Sequence, residues 1–190
     1  MELAYIHKQA FANLDNAHTR FEKGEYEGCS FENCSLAGAD LTACRFIDTK
    51  FINCDLSNAK MDRASLQDVV FTDCKMLGIQ FGQCNSLGFA AQFSNCQLDH
   101  SSFYKMDLTR VVFTACRMQA VDLAETNMKG VSLYDCDLAD ATFERTDLTQ
   151  ADLRGAKNYI IDPDINKLKN ARFSIPEVLG LLAKYSIKIE

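Results

Sequence analysis

From Phe31 to Leu153 a bulky apolar residue returns at every fifth position. The first run holds Phe31, Leu36, Leu41, Phe46, Phe51, Leu56, Met61, Leu66, Phe71, Met76 and Phe81. A second run resumes at Phe93 and continues through Leu98, Phe103, Leu108 and Phe113 to Leu153. A five-residue period matches neither the 3.6 of a helix nor the 2 of a simple strand. It marks an internal repeat, in which each unit buries its apolar face only by stacking on the next.

Two residues before each bulky centre stands a smaller one, for example Cys34, Ala39, Cys44, Thr49 and Cys54. On an extended segment, residues two apart point to the same side. Each pentad therefore sends one large and one small side chain inward, and its other positions, mostly polar, face water. All nine cysteines, Cys29 to Cys136, occupy the small position. Cysteine is compact and readily buried, no CxxC pair supports a zinc site, and buried free thiols fit a reducing compartment. The cysteines are read as packing residues.

A longer period lies above the pentad. Phe31-Glu32-Asn33-Cys34 recurs as Phe51-Ile52-Asn53-Cys54, Phe71-Thr72-Asp73-Cys74, Phe93-Ser94-Asn95-Cys96 and Phe113-Thr114-Ala115-Cys116, at 20-residue steps with one step of 22. Four pentads make one coil with four sides. With parallel strands about 4.8 Å apart and right-handed crossovers as the rule, the expected fold is an all-β solenoid. It is a right-handed quadrilateral β-helix of about seven coils over residues 1–157, with residues 1–30 as a degenerate first coil. The 22-residue step places an irregular corner between Phe81 and Phe93, read as a bulge or as a small contact loop carrying Leu87 and Phe89.

Solenoids need capped ends. After Leu153 the pentad fades at Asn158, and Asp162-Pro163-Asp164 signals a turn. Ser174 is placed to N-cap a helix with Pro176 and Glu177 in its first turn. The sequence thus predicts a capping α-helix over 175–184, with Ile175, Val178, Leu179 and Leu182 on one face. A short strand or arm follows at 185–189, including Ile187. Segment 158–190 is read as a cap and dimerisation segment, the apolar end favouring a twofold homodimer.

The net charge is −6, which disfavours direct nucleic-acid binding. Within 121–153 stand Asp122, Glu125, Asp135, Asp137, Asp140, Glu144, Asp147 and Asp152 against only Lys129 and Arg145. Such an anionic zone is either a solvated face or a dock for another protein's basic, DNA-binding surface. Ile52, Val70, Val112 and Tyr134 form an outward apolar flank that offers a different contact. His7, His18 and His100 stand apart, with no triad, zinc or phosphate-loop motif around them. No catalysis, cofactor or metal is expected. No apolar stretch approaches the roughly 20 residues of a membrane span. The N-terminus lacks the basic start and apolar run of a signal peptide, so a cytoplasmic location is expected.

Units such as Ala39-Asp40-Leu41, Cys54-Asp55-Leu56, Cys136-Asp137-Leu138 and Ala151-Asp152-Leu153-Arg154-Gly155 resemble the A(D/N)LXX form of the pentapeptide-repeat family. The resemblance covers about residues 20–157 and implies the same quadrilateral β-helix. Size, the Phe-Xaa-Xaa-Cys units and the expected C-terminal helix are similar to the Qnr and MfpA proteins of that family, and the small insertion places the chain nearer their loop-poor members. That similarity implies a non-enzymatic dimer, joined through its C-terminal ends. Such a dimer would act as an acidic DNA mimic on DNA gyrase or topoisomerase IV and protect against quinolones. The alternative expectation is a general protein–protein interaction scaffold using the apolar flank.

Overall fold

The computed structural model describes residues 4–185, 187 and 188. Every strand pair is parallel and joins residues one coil apart. Side one carries a sheet of β1 (Ala4–His7), β3 (Gly24–Glu27), β5 (Arg45–Ile47) and β7 (Ser65–Gln67). Side two carries seven strands: β2 (Ala10–Ala12), β4 (Ser30–Glu32), β6 (Lys50–Ile52), β8 (Val69–Thr72), β9 (Ala91–Ser94), β10 (Val111–Thr114) and β11 (Leu133–Tyr134). Sides three and four are held by single parallel bridges, such as Ser35↔Asp55↔Lys75↔Gln97↔Arg117↔Asp137 and Ser102↔Asp122↔Thr142. The chain is an all-β solenoid.

The core is the set of inward columns. Phe31, Phe51, Phe71, Phe93 and Phe113 stack with centroids 4.8 to 5.2 Å apart and nearly parallel rings. The strand spacing fixes this distance, because each coil lifts the next ring by one strand separation. Rings of neighbouring columns meet edge-on, as Phe46 does with Phe51 and Phe103 with Phe113. Both arrangements are favourable for aromatic quadrupoles.

Corners turn through the left-handed region. Asn33, Asn53, Asp73 and Asn95 have φ of 54°, 51°, 54° and 59°. Asn and Asp tolerate this conformation better than other non-glycine residues. They also join along the column: Asn53 Nδ2 donates to Asn33 Oδ1 at 2.7 Å, and Asn95 Nδ2 to Asp73 Oδ1 at 2.9 Å. The Asp just before each centre turns the corner in another way. Its Oδ1 accepts the backbone N–H two residues on, as in Asp55–Ser57 (2.9 Å) and Asp122–Ala124 (3.0 Å). These are Asx turns, and they explain the D of the repeat.

Three expectations need correction. First, the solenoid makes about eight turns, not seven, and so extends about 38 Å. Its last coil runs beyond residue 157: Asp137 bridges Lys157, Asp147 bridges Lys167, and Leu153 pairs with Phe173 in β12 (Asp152–Leu153) against β13 (Arg172–Phe173). Tyr159 and Ile161 are buried in this coil, although Asn158 and Pro163 stand where the pentad calls for bulky centres.

Second, the capping α-helix is absent from the described residues. Segment 177–185 forms two short 3₁₀ turns, Glu177–Leu181 and Ala183–Tyr185. The Ser174 hydroxyl, expected to cap a helix, instead accepts the Gly155 N–H at 3.1 Å. Gly180 lies against the last coil, where a Cβ would sit 2.1 Å from the Tyr159 carbonyl oxygen. The backbone bonds of the segment run from i to i+3, with Leu179 N–H donating to Pro176 O, Leu182 N–H to Leu179 O and Tyr185 N–H to Leu182 O, the tighter winding used for short connectors. Leu181 packs on the core, while Ile175, Leu179 and Leu182 are exposed and Val178 is half-buried. Of the expected terminal arm, Ser186 and Ile189 lie outside the described residues; Ile187 is exposed.

Third, the irregular corner buries Phe89 (4% exposed) and leaves Leu87 out (78%). Ala90 N–H bonds the Leu66 carbonyl, and the Phe89 ring meets Phe81 edge-on at 6.5 Å. The two extra residues carry the chain out and back, and Phe89 refills the core. Only Leu87 remains available as a contact.

Candidate interaction surface

The acids of 121–153 do not form one stripe. The coil register spreads them over all four sides: Asp147 on side one, Asp152 on side two, Asp137 on side three, Asp122 and Glu144 on side four, and Asp135, Asp140 and Glu125 at corners. They also differ in what they already do.

Glu125, Asp147 and Asp152 are ion-paired. Glu125 meets Arg145 at 2.6 Å and Lys105 at 3.5 Å. The Arg145 hydrogen bond leads in holding its carboxyl below the ordinary range. Asp147 lies between Lys129 (3.5 Å) and Lys167 (3.3 Å), and Asp152 pairs with Arg154 at 2.7 Å. Asp122 and Asp137 are half-buried and spend Oδ1 on Asx turns to Ala124 and Ala139. Asp122 Oδ2 also accepts from Ser102 at 3.2 Å, and Asp137 Oδ1 from Asn158 at 2.8 Å. Asp135, Asp140 and Glu144 are exposed and make neither a side-chain hydrogen bond nor an ion pair among the described residues. They are the free charges of the window.

The pairing signal was present in the sequence. Asp55 and Lys75, Glu25 and Arg45, Glu125 and Arg145, and Asp147 and Lys167 are each 20 residues apart, and each pair is joined. In a solenoid this spacing plays the part that i,i+4 plays on a helix.

The apolar residues at the C-terminal end stay open. Ile175 (89%), Leu179 (42%), Leu182 (37%) and Ile187 (55%) are joined by Tyr185 of the expected arm and by Ile160 and Ile165, which the pentad does not single out. Lys184 ties this segment to the last coil through Asp162 and Asp164. On side two, Ile52, Val112 and Tyr134 are exposed and Val70 is half-buried.

Cysteines line the interior, all free, with only Cys84 half-buried rather than buried. Burial pushes the Cys34 and Cys44 thiols up, and that of Cys84 to about 12. Among the described residues, no group of three or more His, Cys, Asp or Glu could hold a metal ion, and no helix is long and apolar enough to cross a membrane. A hollow of about 220 Å³ opens at the N-terminal end, between Phe11, Phe21 and Tyr26.

Comparison with solved structures finds two trypsin-treated forms of QnrB1, described as a plasmid-mediated fluoroquinolone resistance protein. One is 19% identical with a TM-score of 0.66, covering 100% of this chain and 99% of that one; the other is 17% identical with a TM-score of 0.69, covering 100% of both. At these identities the likeness is one of fold. HetL, a pentapeptide-repeat protein involved in heterocyst differentiation regulation in the cyanobacterium Nostoc, is 13% identical with a TM-score of 0.39, over 90% of this chain and 86% of its own. No curated protein sequence matches the chain significantly. The family model for the pentapeptide repeat region matches residues 24–87 and 89–158, and the chain accordingly belongs to the pentapeptide-repeat family.

Proposed function

We propose that this chain is a non-enzymatic, acidic DNA mimic that docks on the DNA-binding surface of DNA gyrase or topoisomerase IV. It would act in the cytoplasm as a dimer joined through its C-terminal ends. The observation that carries the reading is the set of free carboxylates Asp135, Asp140 and Glu144, beside Asp122 and Asp137, which are hydrogen-bonded but not ion-paired. These groups fall within about two coils, or roughly 10 Å of axis, so one acid stands for every ~2 Å. B-DNA presents one phosphate charge per about 1.7 Å. A solid rod with this linear charge density offers a cationic groove the field of a short duplex. The fold likeness to QnrB1, a fluoroquinolone resistance protein, supports the choice of partner.

The test is gyrase supercoiling, with quinolone-stabilised cleavage measured alongside. The reading expects the purified protein to inhibit supercoiling and to alter the drug-stabilised cleavage. If neither changes at protein concentrations well above those of gyrase, the reading is wrong. A scaffold reading rests on the exposed Ile52, Val112 and Tyr134 of side two. It expects Val112→Lys to abolish partner capture while gyrase is left untouched.

A further inference from the structure

Side four carries a group that the pairing of charges does not explain. Tyr104 is 42% exposed, yet it is held in place. Its hydroxyl donates to Glu125 Oε1 at 3.3 Å, the Lys105 Nζ lies 4.9 Å from its ring centroid, and its backbone N–H donates to Ser102 Oγ at 3.2 Å. Glu125 is in turn fixed by Arg145. The Ser102↔Asp122↔Thr142 register places Tyr104 in the same outward column as Glu144. Asp122 stands on the neighbouring column, and Asp140 at the corner leading into the side. The side is therefore asymmetric: Asp140 and Asp122 stand toward one edge, Tyr104 and Glu144 share the next column, and the far corner carries Lys105 and Arg145 with Glu125 between them.

Water-facing aromatic rings that are already immobilised lose little entropy on binding. Tyrosine and arginine are also the residues most enriched among those that dominate interface energetics. We infer that Tyr104 is the anchor by which side four seats in a cationic, DNA-binding groove, with Asp122, Asp140 and Glu144 facing that groove's bases. This inference rests on the DNA-mimic reading and assigns it a side and a central residue. The Lys105–Glu125–Arg145 corner, with two cations to one acid, sets the orientation, because turning the rod about its axis would bring its excess positive charge against like charge.

The experiment measures equilibrium binding of gyrase to the full chain and to Tyr104→Ala, Tyr104→Phe and Tyr5→Ala. Tyr5 is a matched control, since it is 60% exposed and its hydroxyl donates to Glu27 at 2.6 Å, but it lies at the N-terminal end. Tyr104→Ala is expected to weaken binding by about 30-fold with an unchanged melting temperature, Tyr104→Phe by only a few-fold, and Tyr5→Ala not measurably. If the full chain binds and Tyr104→Ala binds equally well, the inference is overturned while the mimic reading stands. If the full chain does not bind gyrase at all, the mimic reading fails and the inference falls with it.

Discussion

At the small inward position, a hydrogen-bond donor matters as well as volume. Cys54, Cys74, Cys96 and Cys116 point their thiols at the carbonyls of Phe31, Phe51, Phe71 and Phe93 on the preceding coil, at 3.4 to 3.5 Å. Thr49, Ser101 and Thr146 use hydroxyls in the same way, toward Tyr26, Met76 and Leu123 at 2.9 Å. Asn166 donates its amide to Phe143 O at 2.9 Å. Buried carbonyls have two lone pairs, and under-satisfying them costs free energy. Cys74→Ser is therefore expected to change stability by no more than about 1 kcal/mol in a urea titration, despite burying a hydroxyl. A loss well above that would show that the column needs sulfur volume rather than a donor. The size rule was legible in the sequence as Cys, Ala, Ser, Thr and Val. The donor rule was not, because its acceptors are backbone atoms 23 to 25 residues away.

Charge at the residue scale gives a pH dependence. Burial raises the Asp147 carboxyl, but hydrogen bonds from Thr149 and Lys167 and the charge of Lys129 outweigh it and bring it to about 2 from 3.8. The folded state thus holds this proton less tightly than the unfolded chain. The stabilisation is complete above about pH 4 and is lost as pH falls toward 2. Thermal melts across that window should show the wild type losing more stability than Asp147→Asn. Parallel acid limbs would mean that the Lys129–Asp147–Lys167 stack contributes nothing.

Among elements, the sequence locates the irregular corner but not the burial of Phe89 there, and it misassigns the C-terminal segment; both have the same cause. A pentad count presumes an unbroken register. Between Phe81 and Phe93 the register slips by two, so Phe89 fell off the count and looked like a surface residue; once the extra residues loop out, it returns to the core. At the other end, Asn158 and Pro163 broke the count, yet Tyr159, Ile161 and Phe173 continue the coil. The spacing of Ile175, Val178, Leu179 and Leu182 suits a helix, but the segment winds as short 3₁₀ turns, with Gly180 laid against Tyr159. The corner gives a sharp contrast. Phe89→Ala is expected to cost about 3–5 kcal/mol, whereas Leu87→Ala should stay within about 0.5 kcal/mol, both read from chemical denaturation. Equal effects would refute the placement of the two side chains.

For the whole molecule, the sequence made the solenoid and its columns legible, because every inward residue obeys one local rule. It could not rank the acids, because a carboxylate is free or paired according to the coils above and below it. Ile175, Leu179, Leu182 and Ile187 are all exposed at the C-terminal end, and the proposed dimer would cover them. Sedimentation should give a dimer for the wild type and a monomer for the Ile175→Asp, Leu179→Asp double variant. A monomeric wild type would remove the twofold arrangement.

In the proposed docking, free carboxylates, not the fold alone, engage the partner. Asp135, Asp140 and Glu144 can be reversed to Lys without touching an Asx turn or an ion pair, and lysine already occupies left-handed corners at Lys8 and Lys105. The most direct measurement is displacement of labelled duplex DNA from gyrase by the wild type and by this triple variant, with circular dichroism confirming equal β content. The wild type is expected to displace the DNA, less so as salt rises, and the variant not at all. Equal displacement by both proteins would contradict the proposed docking.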